Sequence, residues 1–171
     1  MEKNAKTPAE TRTIMTNIVL PNETNALGNM FGGELLSRMD RAAAIAAQRH
    51  SESTVVTASV NHVSFKYPIP QGGVVVVEAK VSRAFSTSME IYCDVWLDNP
   101  ITKEKIHTNE GIYTFVAVDE NNHPVAVPEL IPQSDVEKAR FDAALRRKEL
   151  SLILSGKMKA QDSIELKKLF G

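Results

Sequence analysis

The sequence predicts an α+β fold in which one long helix packs against an antiparallel sheet. Three observations carry this. Residues 32–49 repeat their apolar side chains at helical spacing. One strand-like run precedes that stretch. Four more follow it in succession, separated by short turns, in the order of a meander.

Taken in order, residues 1–11 are polar and lack the apolar stretch of a signal peptide, so they are expected to form a disordered tail. Residues 13–20 have strand character through Ile14, Ile18, Val19 and Leu20. Residues 21–29 are rich in turn formers and read as a loop. The helix follows. Stepped at about 100° per residue, Glu34, Ser37, Arg38, Arg41, Gln48 and Arg49 share one side, and Leu35, Leu36, Met39 and the alanines 42, 43, 44, 46 and 47 share the other. The strand runs are residues 54–63, 74–84, 88–97 and 106–118. The second holds four consecutive valines, the mark of a strand buried on both faces, and the third holds the only tryptophan, Trp96.

After Pro132 the composition turns charged. Residues 135–150 read as a helix capped by Ser134 or Asp135, Gly156 as a break, and residues 157–170 as a weaker helix. Arg146, Arg147 and Lys148, followed by Glu149, read as a solvated face. These helices are too polar to form a core of their own and are expected to cover the sheet or a neighbouring subunit. The expected organisation is a tail at 1–11, one α+β domain at 12–132 and a helical extension at 133–171.

Composition narrows the function. A net charge of -1 over 171 residues provides no field that would recruit nucleic acid or an anionic membrane. Hydrophobic residues make up 43% and aromatics 6%, so the core is aliphatic. The single cysteine, Cys93, sits in a strand-like run and excludes an internal disulfide, which points to a reducing compartment. No apolar run approaches the roughly 20 residues of a membrane span. The expectation is a cytoplasmic protein that binds neither nucleic acid nor membrane.

Asp40 is the most informative residue. It falls on the apolar side of its helix, near Leu36, Ala43, Ala44 and Ala47. A carboxylate there is paired, hydrogen-bonded or held for chemistry, because burying it alone is costly. Ahead of the helix runs Gly28-Asn29-Met30-Phe31-Gly32-Gly33. The first turn of a helix offers unpaired N–H groups and a partial positive charge, and glycine lets a ligand approach them closely. Such a place suits a developing oxyanion, although it also reads as plain turn chemistry. Asp40 lies roughly 10 Å of helix rise further on. The four histidines, His50, His62, His107 and His123, show no metal spacing, so no metal site is expected. A Gly-x-Ser-x-Gly elbow and a phosphate-binding P-loop are both absent.

The spaced pattern Pro21, Asn25, Gly28, Gly32-Gly33, Leu35 and Met39-Asp40 resembles the signature of the hot-dog-fold acyl-CoA thioesterases, and most closely their cytosolic acyl-CoA hydrolase branch. The match continues through Val56-Thr57-Ala58-Ser59-Val60, Phe65-Lys66-Tyr67-Pro68, Thr87-Ser88-Met89-Glu90 and Tyr113 to Asp119, and so covers roughly residues 12 to 130. It implies a central helix wrapped by an antiparallel sheet, an acyl-CoA substrate and no separate cofactor, coenzyme A being part of substrate and product. It implies active sites between paired units, hence a homodimer at least and commonly a homohexamer built as a trimer of dimers. Asp40 and Asn25 are then the principal catalytic residues, brought together across the interface, with Gly32 and Gly33 as oxyanion donors. Thr57, Ser59, Thr87 and Ser88 would line the substrate path. Many relatives carry a glycine and a basic residue where this chain has Phe85 and Ser86, which leaves Arg83 and Lys66 as substitutes for a phosphate contact.

Two other readings compete. A hydratase or dehydratase on the same fold generally needs a histidine near the helix start, and none occurs before Arg49. A non-catalytic acyl-CoA sensor usually adds a DNA-binding module, and no helix-turn-helix pattern precedes the domain.

Overall fold

The computed structural model describes residues 4–170, without the side chains of residues 166, 169 and 170. It divides into two compact units, Met1–Ile131 and Pro132–Gly171. The first unit opens on helix α1 (Pro8–Thr11). Its sheet is built from β1 (Thr13–Ile18), β2 (Thr54–Phe65), β3 (Val74–Ala84), β4 (Ser88–Asp98) and β5 (Lys105–Val118), with helix α2 (Gly32–Ser51) between β1 and β2. The five strands run antiparallel in the order β1-β3-β4-β5-β2, so β1 and β2 are the edges. The hot-dog arrangement that the resemblance implies, a long helix against an antiparallel sheet, is present.

The helix lies close to the sheet because its inner surface is small. Ala42, Ala43, Ala46 and Ala47 are fully buried, together with Leu35 and Met39. A Cβ placed on Gly111 of β5 would collide with Met39 Cε, so glycine there permits the approach. Cys93 Sγ donates to Met39 O at 3.7 Å, and Tyr113 Oη donates to Leu36 O at 3.2 Å. Burial, then the nearby Cys93 and Asp40, push the Tyr113 hydroxyl upward, so it remains a donor across the physiological range. The core is aliphatic, dominated by Val75, Val77, Val81, Met89, Ile91 and Val95, with Tyr113 and Phe115 as its largest buried rings.

Two expectations fail here. The tail expected at 1–11 is largely folded from residue 4 onward, its residues 1–3 lying outside the described residues. Lys6 N donates to Glu129 O, and Thr11 Oγ1 accepts from Val81 N at 3.0 Å. Lys6 Nζ reaches Arg49 O at 2.7 Å and Glu52 Oε1 at 2.6 Å, placing a cation at the negative end of α2. These are long-range contacts of polar residues, which hydropathy does not register. Arg38, placed on the solvent side by helical period, is 6% exposed. Its Nη2 binds both Glu23 carboxylate oxygens at 2.7 Å, because the loop before the helix folds back over that face.

The second unit contains α3 (Asp135–Leu154) and α4 (Ile164–Phe170). Ser134 caps α3 in a capping box with Glu137, its Oγ accepting from Glu137 N at 3.2 Å. Glu149, read as part of a solvated face, is buried. It accepts from the Ser163 hydroxyl and from Glu165 N, and so caps the start of α4. That cap explains why α4 begins at Ile164 and not near residue 157. Among the described residues no helix is long and apolar enough to cross a membrane.

Candidate active site

Residues 20–32 contribute Asn25, Asn29, Met30 and Gly32 to the wall of a cleft. Pro21–Glu23 make one turn of 3-10 helix. Asn25 Oδ1 then accepts from Leu27 N at 2.9 Å and Asn29 N at 3.2 Å, which bends the chain so that Gly28 takes a φ of +71°. This turn leaves the Asn25 amide group available while its oxygen is occupied. Glu23 anchors the loop. Leu20 N–H and the Arg38 guanidinium hold its carboxyl below the usual carboxylate range. Phe31 N donates to Glu23 O at 2.9 Å.

Phe31 is the N-cap of α2 and has no side-chain cap, so the first N–H groups of the helix are not satisfied by a capping side chain. The two glycines there differ. A Cβ on Gly33 would meet nothing within 4 Å, whereas one on Gly32 would touch the Phe65 ring at 3.3 Å. The cleft, of about 260 Å³, is lined by Asn25, Asn29, Met30, Gly32, Leu35, the run from Phe65 to Ile69, and Asn109.

Asp40 lies outside that lining. It is half-buried, and its Oδ1 accepts from Thr57 Oγ1 of β2 at 2.9 Å. Its other carboxylate oxygen has no hydrogen-bond partner among the described residues. Thr57 is exposed, and so is most of β2, with Val56 46% and Val60 47% accessible. The single chain therefore presents two partial constellations: Asn25 with Gly32 in a cleft, and Asp40 with Thr57 at an open sheet edge.

The other residues singled out from sequence are scattered. A bulge between Thr57 and Ser59 breaks the two-residue alternation that would have put both on one face. Ser59 Oγ instead donates to Asn61 Oδ1, and Asn61 Nδ2 to Thr114 Oγ1, both at 2.8 Å. Lys66 borders the cleft but pairs with Glu110 at 3.2 Å. Burial works to raise the Glu110 carboxyl, and Lys66, Tyr92 and His107 together outweigh it, leaving it lowered. Arg83 lies 5.8 Å from the centroid of the Phe85 ring, while Thr87 and the buried Ser88 belong to the β3–β4 turn region, where Thr87 O accepts from Ala117 N. None of Arg83, Thr87 and Ser88 borders the cleft.

Sequence reasoning missed Asn109, which is 1% exposed at the cleft wall, and the grouping of Asp94, His107 and Glu110, whose ligand atoms lie within 4.8 Å of one another. Asp94 and Glu110 face each other across β4 and β5, and His107 Nε2 is 3.2 Å from Asp94 Oδ1. The Lys66 ammonium beside Glu110 opposes a further cation there. Register alone brings these three together, so histidine spacing contained no signal for them.

Comparison with known proteins adds the context. Residues 27–103 match the model of the thioesterase superfamily. The chain is 38% identical over 144 residues to protein VdlD of Helicobacter pylori, covering 84% of this chain and 82% of that one. It is 36% identical to YkhA of Bacillus subtilis, which bears the name of an uncharacterized acyl-CoA thioester hydrolase, over 81% of this chain and 80% of that one. Among solved structures, an acyl-CoA hydrolase of Staphylococcus aureus in complex with butyryl coenzyme A and coenzyme A superposes with a TM-score of 0.83 at 33% identity, covering 96% and 99% of the two chains. That enzyme has also been solved with alanine in place of an asparagine, an aspartate and a threonine. A hexameric acyl-CoA thioesterase superposes at 0.82 with 41% identity, over 86% and 94%.

Proposed function

We propose that this chain, which belongs to the thioesterase superfamily and within it to the acyl-CoA thioester hydrolases, cleaves acyl-CoA into coenzyme A and a carboxylic acid. The observation that carries the reading of the site is the Asp40–Thr57 pair, a carboxylate fixed through one oxygen with the other open, on the face of the helix that begins at Gly32-Gly33. The three positions altered in the staphylococcal hydrolase have the same residue types and the same spacing as Asn25, Asp40 and Thr57, which supports assigning the chemistry to them.

In this reading the thioester carbonyl oxygen sits against the N–H groups of Gly32 and Gly33, where the helix start stabilises the developing negative charge. Asp40 takes a proton from water as that water attacks the carbonyl carbon. The carbon–sulfur bond breaks, and the coenzyme A thiolate leaves and is protonated. Asp40 acting instead as the nucleophile gives an anhydride that water opens, with the same products. Thr57 holds the carboxylate in place, and the Asn25 amide orients the water or the carbonyl. No further cofactor enters this scheme.

Completing the site takes a second chain. β2 is a 12-residue edge strand with apolar, exposed side chains, the kind of edge that pairs with another strand. We assign the minimal unit as a homodimer joined along β2, with Asn25 from one chain meeting Asp40 from its partner. A homohexamer is supported by the 41%-identical hexameric thioesterase. A cytoplasmic location fits the single buried cysteine. The test is a thiol-release assay with short, medium and long acyl-CoAs. Turnover of at least one of them is expected, and hydrolysis of none would refute the reading.

A further inference from the structure

We propose that Asn109 is a substrate-reading residue: its Oδ1 accepts a hydrogen bond from the cysteamine amide N–H of the coenzyme A arm. The assignment rests on the acyl-CoA reading of the cleft and extends it to one atom.

Asn109 stands on β5 opposite Phe65 of β2, on the same face as Gly111 and Tyr113, and so toward α2. Its Nδ2 donates to Ser64 O at 3.3 Å. That bond fixes which arm of the amide points where, because turning the group over would set Oδ1 against a carbonyl oxygen. The remaining arm, Oδ1, is buried and has no partner among the described residues. A buried acceptor without a donor is costly, and proteins seldom keep one. Asn109 itself lines the same cleft as Asn25 and Gly32, which Met30, Leu35 and Ile69 also border.

Its chemistry selects the ligand group. An acceptor demands a donor. A hydrocarbon acyl chain has none, and a thioester has none. The coenzyme A arm carries a secondary amide N–H two methylene groups from the sulfur, so a thioester held at Gly32 has a donor within a few ångströms. A site that hydrogen-bonds a substrate N–H strongly rejects the analogue lacking it.

The test changes the substrate first. The probes are an acyl-CoA of the chain length turned over fastest, and its analogue with an ester oxygen in place of the cysteamine N–H. The unaltered protein should process the analogue with kcat/KM lower by roughly tenfold or more, the scale of one lost hydrogen bond that strands a buried partner. Asn109→Leu and Asn109→Ala should lower kcat/KM for the natural substrate by a similar factor and bring the two substrates level. Equal handling of both substrates by the unaltered protein overturns the assignment, whether or not either variant folds. So does a variant that folds and keeps the parental ratio, since a merely structural asparagine would slow both substrates alike. Hydrolysis of neither substrate at any chain length would instead refute the thioesterase reading itself.

Discussion

Asn25 and Asp40 sit in contrasting surroundings. Asn25 belongs to a loop pinned by the Glu23–Arg38 pair and walls a cleft shared with Gly32 and Asn109. Asp40, on the same helix as Gly32, has one threonine for company and faces an edge strand that is nearly all exposed. One half is finished within the chain and the other is left open. A carboxylate bonded through one oxygen beside an edge strand with one free side is what a site shared between two chains would present in each chain taken alone, and on the proposed reading β2 is the element that a partner would cover.

Neutralising the open half is expected to have the largest effect. Asp40→Asn should keep the fold and lower kcat by about 10²–10⁴, the usual contribution of a general base. Activity near the parental level in the thiol-release assay would make Asp40 structural. Mixing inactive Asn25→Ala and Asp40→Asn proteins then asks whether the halves belong to different chains. After subunit exchange, hybrid dimers would contain one intact site, and turnover should reappear. Proven exchange without recovery would place both halves of each site on one chain.

The pinned half should respond in stability more than in chemistry. Arg38→Met leaves the part-buried Glu23 without its cation, and losing the charged partner of such a hydrogen bond costs about 1–3 kcal/mol. Because Glu23 is held below its ordinary range, its contribution is present above the ordinary carboxylate pKa and is lost as pH falls through the lowered folded value. Denaturant midpoints of the parent and Glu23→Gln should therefore differ at neutral pH and converge in acid. A gap that persists in strong acid would show that the carboxylate charge is not what holds the loop. The smallest effect is expected at Thr57→Val, which removes one hydrogen bond to Asp40. It should lower kcat by about tenfold and leave thermal stability nearly unchanged. A loss as large as that of Asp40→Asn would give Thr57 a direct part in the reaction.

Much of the fold was legible. The helix and all five strands follow from period and turn residues, with their ends displaced by a few positions. Asp40 was legible because a charge on an apolar helix face is a local contradiction. Asn25 and the glycines needed the spaced motif, since an asparagine in a loop signals nothing by itself. What stayed hidden depends on contacts between distant segments. The bulge that turns Ser59 away from Thr57 is a property of pairing with β5, not of β2 alone. Arg38 reads as a surface arginine until the loop folds over it. Asn109 lies within an ordinary strand run, and only the Ser64 carbonyl, brought beside it by register, fixes its side chain.

Cys93, the only cysteine, is wholly inaccessible between sheet and helix. A protein that releases a thiol at every turnover accumulates a compound that oxidants convert to its disulfide, and this placement keeps Cys93 from attacking that disulfide. Exchange of Cys93 with the oxidised, disulfide form of the product, which expels one product thiol, would occur only when β4 separates from α2. The rate at which an alkylating reagent modifies Cys93 thus measures how often the core opens, and the same burial lets thiol-detecting reagents count released coenzyme A against a silent background.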